Sequence, residues 1–224
     1  MKKSFIALTA FTILIGFTAC QKKISSSVSR TVTASYPVIT INGPQFVSMP
    51  VGGSFSDQGA TAVDTILGET LQPTNVSNDI DPQTPGFYTV QYSFKNSNGY
   101  TSVGTRFVLV TDIDSALNYT GIYRRTTNNV AMNVEKVARG LYRTDNVGGV
   151  PLVNGQPSPF AITVYFGQID DSTLVVPAQP TAAGEMYCSN SFIRANAGVD
   201  TSISWIVRNA SFGTAVRKFV KSAN

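Results

Sequence analysis

The side chains that could do chemistry in this 224-residue chain are aromatic rings and a few charged groups, because the chain has no histidine. A Ser-His-Asp or Cys-His catalytic group is therefore excluded, as is a zinc or non-haem iron site with a histidine ligand. The two cysteines are too few for a metal site made of four thiolates. What remains is recognition by contact, in which aromatic faces stack and polar neighbours form hydrogen bonds.

Recognition of a sugar would use flat aromatic rings flanked by aspartate, asparagine or arginine. Trp205 shares one face of the expected strand over 202–208 with Ile203 and Val207, which favours a core position over a surface one. Tyr165 points away from its apolar neighbours in the sequence and is the better surface candidate. Arg124 stands in an arginine pair, which is typically solvated but could contact a phosphate or an acidic glycan. The candidate ligand-binding residues are Tyr165, Tyr187, Trp205, Tyr123 and Arg124, with Tyr142 as a further aromatic.

The carboxylates give no sign of a catalytic centre. General acid–base catalysis needs paired carboxylates in one cleft, and the chain has only three glutamates, Glu69, Glu135 and Glu185. Most aspartates adjoin glycine, proline, asparagine or serine, as expected in turns. We therefore predict that the protein is not an enzyme and uses no cofactor, with hydrolysis by two carboxylates as the least favoured alternative.

Four aspartates in the first half of the chain, Asp57, Asp64, Asp79 and Asp81, raise the question of a calcium site. Calcium takes about six to eight oxygen ligands, but the spacing here is not that of an EF-hand. Aspartate side chains also accept hydrogen bonds from nearby backbone N–H groups, which closes turns. We predict that these aspartates cap turns and that the chain has no metal site.

The N-terminus has the pattern of a secretory signal. Two lysines after the initiating methionine precede an apolar stretch over 5–17 that is too short to span a bilayer. Small residues then lead into Cys20, which resembles the cysteine of a bacterial lipobox, where it is lipid-modified and becomes the mature N-terminus. We predict a lipoprotein signal peptide over 1–19 and lipidation of Cys20, the alternative being a plain signal peptide.

The segment after Cys20 is rich in serine and threonine up to residue 35, which predicts a flexible tether. Cys188 is the only other cysteine. It has no basic sequence neighbour to activate it, so a buried apolar role is favoured over a reactive thiol. The net charge of +4 includes the two leader lysines, and no basic stripe with interleaved aromatics is present. We therefore expect no nucleic-acid binding.

Short strands separated by glycine, proline, asparagine and aspartate fill residues 36–112. The clearest strand covers 87–94, where apolar and polar residues alternate and the apolar set is Tyr88, Val90, Tyr92 and Phe94. A returning strand over 102–110 places one set on a common face, namely Val103, Phe107 and Leu109. With shorter strands at 38–41 and 46–51, this pattern predicts a small all-β sandwich.

The same segment carries a spaced set of residues that points to a family: Ile39-Thr-Ile-Asn-Gly43, Val51-Gly52, Phe55-x-Asp57-x-Gly59-Ala60-x-Ala62-x-Asp64, Pro85-Gly86-x-Tyr88-x-Val90-x-Tyr92, Asn98-Gly99 and Val108-x-Val110. It resembles a bacterial immunoglobulin-like domain of the type found in pesticidal crystal proteins and in many Bacteroidetes lipoproteins. The resemblance implies a sandwich of about seven strands. It also implies a spacer or adhesion module without enzymatic activity.

The β pattern continues over 113–224, and no helical pattern longer than two turns is present. Strands are expected at 121–124, 130–137, 140–144, 160–166, 173–176, 191–195, 202–208 and 215–220. The residues Thr120-Gly-Ile-Tyr-Arg124, Gly140-Leu-Tyr142 and Gly148-Gly149 resemble the C-terminal domain of Bacteroidetes lipoproteins of uncharacterised function. That resemblance implies a second antiparallel β-sandwich or barrel, and the association of such lipoproteins with glycan uptake implies a carbohydrate ligand.

The chain thus divides into a signal peptide (1–19), a lipidated cysteine with its tether (20–35), an Ig-like β-sandwich (36–112) and a β-rich C-terminal domain (113–224). We expect a lipoprotein of the cell envelope, anchored at the outer membrane and facing the periplasm or the surface. The favoured function is non-catalytic glycan binding within a polysaccharide-uptake system. The alternative is a structural or protein–protein interaction component without a small ligand. The expected partners are the membrane, a glycan and other envelope proteins.

Overall fold

The computed structural model describes residues 34–195 and 200–222, which form only strands, turns and loops. The predicted signal peptide, Cys20 and nearly all of the predicted tether lie outside the described residues. In the part of the chain that the structure describes, no helix is long and apolar enough to cross a membrane. The prediction of an all-β fold is confirmed.

The first half of the described chain is a two-sheet sandwich. Its strands are β1 (Val38–Ile41), β2 (Phe46–Met49), β3 (Ala60–Val63), β4 (Thr70–Leu71), β5 (Asn75–Asn78), β6 (Gly86–Lys95) and β7 (Thr101–Val110). One sheet has the order β1-β3-β4 and the other has the order β2-β7-β6-β5. Strand β2 is parallel to β7, whereas the other pairs are antiparallel. The predicted Ig-like sandwich is confirmed.

The core of the sandwich follows from the alternation in β6. Val90, Tyr92 and Phe94 are each at most 1% exposed, while Gln91 between them faces solvent. Burying large apolar side chains in this way is the main favourable contribution to folding. The predicted inward face of β6 is therefore the face that the sandwich buries.

A buried arginine stands in the same core. Arg106 on β7 is 1% exposed, and its Nε lies 3.2 Å from both the Asp57 carboxylate and the Tyr92 hydroxyl. Burial and the hydrogen bond to Asp57 raise the pKa of Tyr92. The Arg106 Nη atoms donate to three backbone carbonyls, those of Pro44 at 2.6 Å, Asn42 at 2.7 Å and Gly59 at 3.0 Å. The Arg106 side chain thus connects the loop between β1 and β2 to the loop between β2 and β3.

The four aspartates considered for calcium accept hydrogen bonds from the protein itself. Asp57, Asp64 and Asp81 each accept from the N–H two residues on, at 3.1, 2.9 and 2.9 Å, so turn capping is confirmed for these three. Asp79 accepts instead from Thr89 on β6, through both its N–H and its hydroxyl. Within residues 34–195 and 200–222, no three acidic or cysteine side chains are grouped closely enough to hold a metal ion.

The second half of the described chain is a closed barrel. Its strands are β8 (Gly121–Arg125), β9 (Ala131–Ala138), β10 (Leu141–Thr144), β11 (Val164–Gln168), β12 (Leu174–Thr181), β13 (Gly184–Arg194), β14 (Ser202–Arg208) and β15 (Val216–Lys221). Neighbours in sequence pair antiparallel, and β15 pairs with β8 to close the sheet. The expected second β-domain is therefore a barrel, one of the two architectures predicted.

Side chains fill the barrel. Its interior is lined by inward-facing apolar residues from all eight strands: Tyr123, Met132, Val134, Tyr142, Val164, Phe166, Leu174, Val176, Met186, Ile193, Ile203, Trp205, Val207 and Phe219. Small barrels are typically packed in this way, because eight strands enclose little more than side-chain volume. Cys188 is half-buried against this core. Burial raises the pKa of its thiol to about 12, against a smaller opposing effect of Arg217, and this environment keeps the thiol protonated.

The segment 145–149 closes the barrel at the end where β10 finishes. Val147 is fully buried, and its carbonyl accepts a hydrogen bond from Trp205 Nε1 at 2.8 Å. The Gly148 carbonyl accepts from Arg217 Nε and Arg125 Nη1, both at 3.1 Å. Burial lowers the pKa of Arg217, and the nearby cation of Arg125 lowers it further. Backbone carbonyls of this segment thus accept hydrogen bonds from two cationic side chains, although Arg125 Nε has no partner among the described residues.

Strand β12 contains two prolines, and the Gln179 side chain supplies hydrogen bonds that the backbone of this strand does not. Pro177 and Pro180 have no N–H to donate, and the β12–β13 register shifts between Val176 and Gln179. Gln179 compensates on the β11 side. Its Oε1 accepts from the Tyr165 N–H at 2.9 Å, and its Nε2 donates to the Tyr165 carbonyl at 2.8 Å. The side-chain amide therefore replaces a missing pair of backbone hydrogen bonds.

We expect Gln179→Ala to lower the free energy of unfolding by about 2–4 kcal/mol, because it leaves two backbone groups of Tyr165 without partners. Urea unfolding followed by circular dichroism measures the change. The matched control is Gln91→Ala on the exposed face of β6, which we expect to change stability by less than about 0.5 kcal/mol. Equal stability of the two variants would contradict this role of Gln179.

The sandwich packs directly on the barrel. Phe46 of β2 stacks on Phe107 with ring centroids 4.6 Å apart and on Tyr165 of β11 at 4.0 Å. Leu109 of β7 is fully buried in the same cluster. A Cβ added to Gly167 would lie 2.6 Å from the Leu109 side chain, so the close approach of the two sheets requires glycine there. Sandwich and barrel belong to one compact unit.

Candidate functional site

Two of the predicted ligand-binding residues are core residues. Trp205 and Tyr123 are both 0% exposed. The Tyr123 hydroxyl donates to the Tyr119 carbonyl at 2.9 Å, and burial strongly raises the pKa of Tyr123. Tyr142 is equally buried, and burial raises its pKa to about 12. None of these rings presents a face to solvent, so the candidate role of Trp205 and Tyr123 in ligand contact is wrong, and the core position favoured for Trp205 is confirmed.

Tyr165 faces out of the barrel as the alternation in its sequence predicted, but one face of its ring is covered. The Phe46 ring lies parallel to it at 4.0 Å, with an angle of 8° between the two planes. The expectation of an open surface position fails because the sandwich packs on this face of β11. Sequence alternation identifies the outward face of a strand, but not what lies against that face.

Tyr187 is the predicted aromatic that is exposed, at 45%. It lies on the outer face of β13, directly opposite Arg208 of β14. Glu185 precedes it by two residues on the same strand face, and the turn after β14 bounds the other side. Together they form an open depression of about 410 Å³, here called the Tyr187 groove, lined by Glu185, Tyr187, Val207, Arg208, Asn209, Ala210, Gly213 and Thr214.

Hydrogen bonds hold the groove's polar side chains in place. Arg208 Nε donates to Ser189 Oγ at 2.8 Å, which leaves the two Nη atoms directed away from that bond. Asn209 Nδ2 donates to the carbonyls of Ala183 and Glu185 at 3.1 and 2.9 Å. The rim therefore combines a flat ring, a carboxylate and a guanidinium on a fixed backbone, which can stack on an apolar face and hydrogen-bond to hydroxyl groups.

Sequence reasoning missed Glu185 and Arg208 as neighbours of Tyr187. The predicted strand began at residue 191, whereas β13 begins at Gly184. The two-residue spacing of Glu185 and Tyr187 is the signal that could have placed both on one face, once the strand was extended. Arg208 is the last residue of the strand predicted over 202–208, but its register against β13 is not visible in the sequence.

Arg124 lies in a different cavity. This cavity, of about 500 Å³, is formed by β8, β9 and the loop between β10 and β11, and is lined in part by Asn133, Asp145 and Leu152. Asp145 accepts from the Asn133 N–H at 2.9 Å and from its Nδ2 at 2.5 Å, so this carboxylate is already engaged. No aromatic ring lines the described cavity. The structure therefore does not bring Arg124 together with Tyr187.

Residues 39–110 match the family model described as bacterial surface protein, Ig-like domain. This confirms the resemblance to a bacterial Ig-like domain noted for the first half of the chain. The match covers about a third of the chain, from β1 to the end of β7. No curated protein is similar enough in sequence to count as a relative.

Three solved structures show low similarity. A lipoprotein from Bacteroides thetaiotaomicron is 21% identical with a TM-score of 0.37, over 83% of this chain and 100% of that one. The M60 catalytic domain with the CBM51-1 and CBM51-2 domains of Clostridium perfringens ZmpB is 16% identical with a TM-score of 0.30, over 84% and 21%. The CBM51-2 and INT domains of the same protein, in complex with GlcNAc, are 15% identical with a TM-score of 0.29, over 82% and 43%. At this level no ligand carries over, and the chain's own surface decides what it could bind.

Proposed function

We propose that the protein is a non-catalytic binding module of the cell envelope that binds glycan at the Tyr187 groove. The observation that carries the proposal is the exposure of Tyr187, at 45%, between Glu185 and Arg208 in an open depression. The open shape suits the side of an extended chain better than an enclosed small molecule. Recognition of a polysaccharide along its length fits that shape.

The chemistry of the groove suits a sugar. One face of a pyranose ring carries C–H groups that pack on an aromatic face, while its hydroxyls project sideways. The Glu185 carboxylate can accept hydrogen bonds from hydroxyls, and the Arg208 guanidinium can donate to them. A sugar ring that stacks on one aromatic side chain and forms a few flanking hydrogen bonds binds weakly but selectively, as is usual for a single open site.

We also propose that Cys20 carries a lipid and holds the folded part at the outer membrane, within a polysaccharide-uptake system. Each methylene of an acyl chain buried in the bilayer contributes about 0.8 kcal/mol, so several chains on one cysteine would anchor the protein stably. The Ser- and Thr-rich segment up to residue 35 would then lift the sandwich and barrel from the membrane surface. The Ig-like sandwich acts as the spacer in this arrangement.

Replacing Tyr187 with alanine is expected to weaken glycan binding by about tenfold or more, because the stacking face is lost. Affinity electrophoresis or calorimetry of the mature chain against a panel of neutral and acidic polysaccharides measures the change. Tyr187→Phe keeps the ring and should retain most of the affinity. Phe192→Ala is the matched control, since Phe192 is 46% exposed on the same strand but does not line the groove.

Two outcomes would overturn glycan binding at the groove, and a third would overturn the non-catalytic role. If the wild-type chain, shown to be folded, binds no polysaccharide in the panel, the structural or protein–protein interaction role becomes the better explanation. If Tyr187→Ala and Phe192→Ala lose binding equally, the ligand lies elsewhere on β13 and not in the groove. Release of shorter saccharides from any polysaccharide would contradict the non-catalytic part of the proposal.

A further inference from the structure

The loop between β10 and β11 exposes large apolar side chains. Residues 146–169 contain no charged residue, although much of this stretch lies at the surface. Leu152, Val153 and Phe160 are 63%, 55% and 48% exposed. Several exposed apolar side chains on one segment mark a site of interaction, whereas single ones are normal on any protein surface. Residues 150–161 are called the apolar loop.

The tip of the apolar loop is a small hairpin. Asn154 and Gly155 have positive φ angles of 52° and 76°, as a tight two-residue turn requires. Val153 and Gln156 flank the turn and exchange two backbone hydrogen bonds, at 2.9 and 3.0 Å. The tip therefore has a fixed convex shape, so binding through it does not require the loop to become ordered first.

The backbone of the apolar loop is suited to burial. Three of its residues have no N–H group because they are prolines, namely Pro151, Pro157 and Pro159. Ser158 accepts two further N–H groups, that of Ala161 at its carbonyl at 2.8 Å and that of Phe160 at its Oγ at 3.2 Å. A backbone donor that is buried without a partner costs free energy. Donors that are absent or already paired therefore lower the cost of covering this loop.

An apolar pocket lies beside the tip of the loop. It has a volume of about 500 Å³ and is the cavity that Arg124 also lines. The apolar residues of its wall include Val130, Ala131, Val150, Leu152, Pro157 and Ala161. The two charged residues that line it, Arg124 and Asp145, have opposite signs. One surface of the barrel thus combines a convex apolar tip with a concave apolar pocket and has no net charge.

We infer that the apolar loop pairs with the same loop of a second copy of this chain, so that the tip of each copy enters the pocket of the other. A two-fold axis places one surface patch against itself, so that patch must be self-complementary. A protrusion beside a recess of the same apolar character meets this condition. The lack of net charge meets it as well, because a charged patch would repel its own copy.

The proposed membrane anchor favours a second copy as the partner. Copies held on one membrane by the same tether present their loops within the same range of heights, and this confinement raises their effective concentration. A weak contact is then sufficient for pairing. A pair would also carry two Tyr187 grooves, and two sites on one polysaccharide bind more tightly than one. This step rests on the proposed lipid at Cys20, whereas the shape and charge of the loop do not.

The test is sedimentation velocity of the mature chain with Cys20→Ser, so that neither a lipid nor a disulfide at Cys20 links the copies. We expect a monomer–dimer equilibrium at about 10 μM to 1 mM, because a small interface binds weakly. Val153→Asp should weaken dimerisation by at least about tenfold, because it places a charge in an apolar pocket. Val103→Asp is the matched control and should dimerise as the wild type does, since Val103 is 60% exposed on β7 of the sandwich.

A mixing experiment separates reciprocal pairing from a general effect on solubility. Ala131 lines the pocket at an exposed position of β9, and Ala131→Lys should weaken dimerisation by blocking the tip of the partner. An equimolar mixture of Val153→Asp and Ala131→Lys should dimerise again. In the mixed pair one tip–pocket contact is unchanged, and the other brings opposite charges together. Circular dichroism spectra should equal that of the wild type, since both positions are exposed.

Four results bear on the inference or on its independence. The inference is overturned if the wild-type chain stays monomeric over this range, if Val153→Asp dimerises as the wild type does, or if the mixture stays monomeric. It is also overturned if the wild-type chain is monomeric but binds phosphatidylcholine vesicles through Val153, because a bilayer then covers the loop. Failure of polysaccharide binding would count against the groove alone, since the groove contains no residue of the apolar loop.

Discussion

Replacing Arg106 with methionine is expected to lower the free energy of unfolding by about 3–5 kcal/mol, one of the two largest effects we predict. The guanidinium is 1% exposed and serves the Asp57 carboxylate, the Tyr92 hydroxyl and three backbone carbonyls. Methionine fills a similar volume but donates no hydrogen bond. The Asn42 and Pro44 carbonyls would lose this donor, and each such group costs about 1–3 kcal/mol when it is buried and unpaired. Asp57 would lose its cationic partner and keep only the Gly59 N–H and the Tyr92 hydroxyl.

Urea unfolding followed by far-UV circular dichroism measures this loss. The control is Arg143→Met in the barrel, because Arg143 forms a salt bridge to Glu135 at 2.7 Å with both side chains largely exposed. Exposed ion pairs contribute about 0–1 kcal/mol, so this variant should unfold almost with the wild type. A loss at Arg106 no greater than the loss at Arg143 would show that the buried network adds little to stability.

The role of Arg106 illustrates what the sequence could not reveal. The alternation in β7 correctly placed Val103, Phe107 and Leu109 on one face, but that face is not the sandwich core. Phe107 and Leu109 pack toward the barrel, and Val103 is 60% exposed. The other face carries Arg106 with Val108, so a charged residue lies on the buried side. Periodicity identifies two faces, and tertiary contacts decide which of them is the core.

Prolines account for one error in the second half of the chain. The predicted strand at 173–176 ends before Pro177, whereas β12 continues to Thr181. Proline lacks the N–H that a central strand needs, so ending the strand there is the sound local inference. The strand continues because the Gln179 side chain bonds to both backbone groups of Tyr165. Such a replacement depends on a residue of the neighbouring strand, and local sequence carries no sign of it.

Only part of the candidate site could be predicted from the sequence. Tyr187 was identified from its residue type alone, because an aromatic face can stack on a sugar. Its partner Arg208 became visible only through the β13–β14 register, which depends on the bulge between Ser189 and Phe192.

Of the substitutions in the barrel, we expect the loss of Trp205 to lower the free energy of unfolding most. The indole is 0% exposed, lies within 5.5 Å of the Phe166 ring centre and 5.9 Å of that of Phe219, and donates to the Val147 carbonyl at 2.8 Å. Trp205→Ala is expected to lower the free energy of unfolding by about 3–5 kcal/mol, because it leaves a cavity in the packed barrel. The same change removes the hydrogen bond that holds the segment 145–149 over the end of the barrel.

Trp205→Phe separates these two effects. Phenylalanine retains part of the aromatic packing but cannot donate, so it leaves the Val147 carbonyl unpaired at a cost of about 1–3 kcal/mol. We expect its stability to fall between those of the wild type and Trp205→Ala in urea unfolding followed by far-UV circular dichroism. Hydrogen exchange at Val147, whose N–H donates to the Ile162 carbonyl at 3.1 Å, should accelerate in both variants. If exchange there accelerates in Trp205→Ala but not in Trp205→Phe, packing rather than the hydrogen bond holds the barrel end closed.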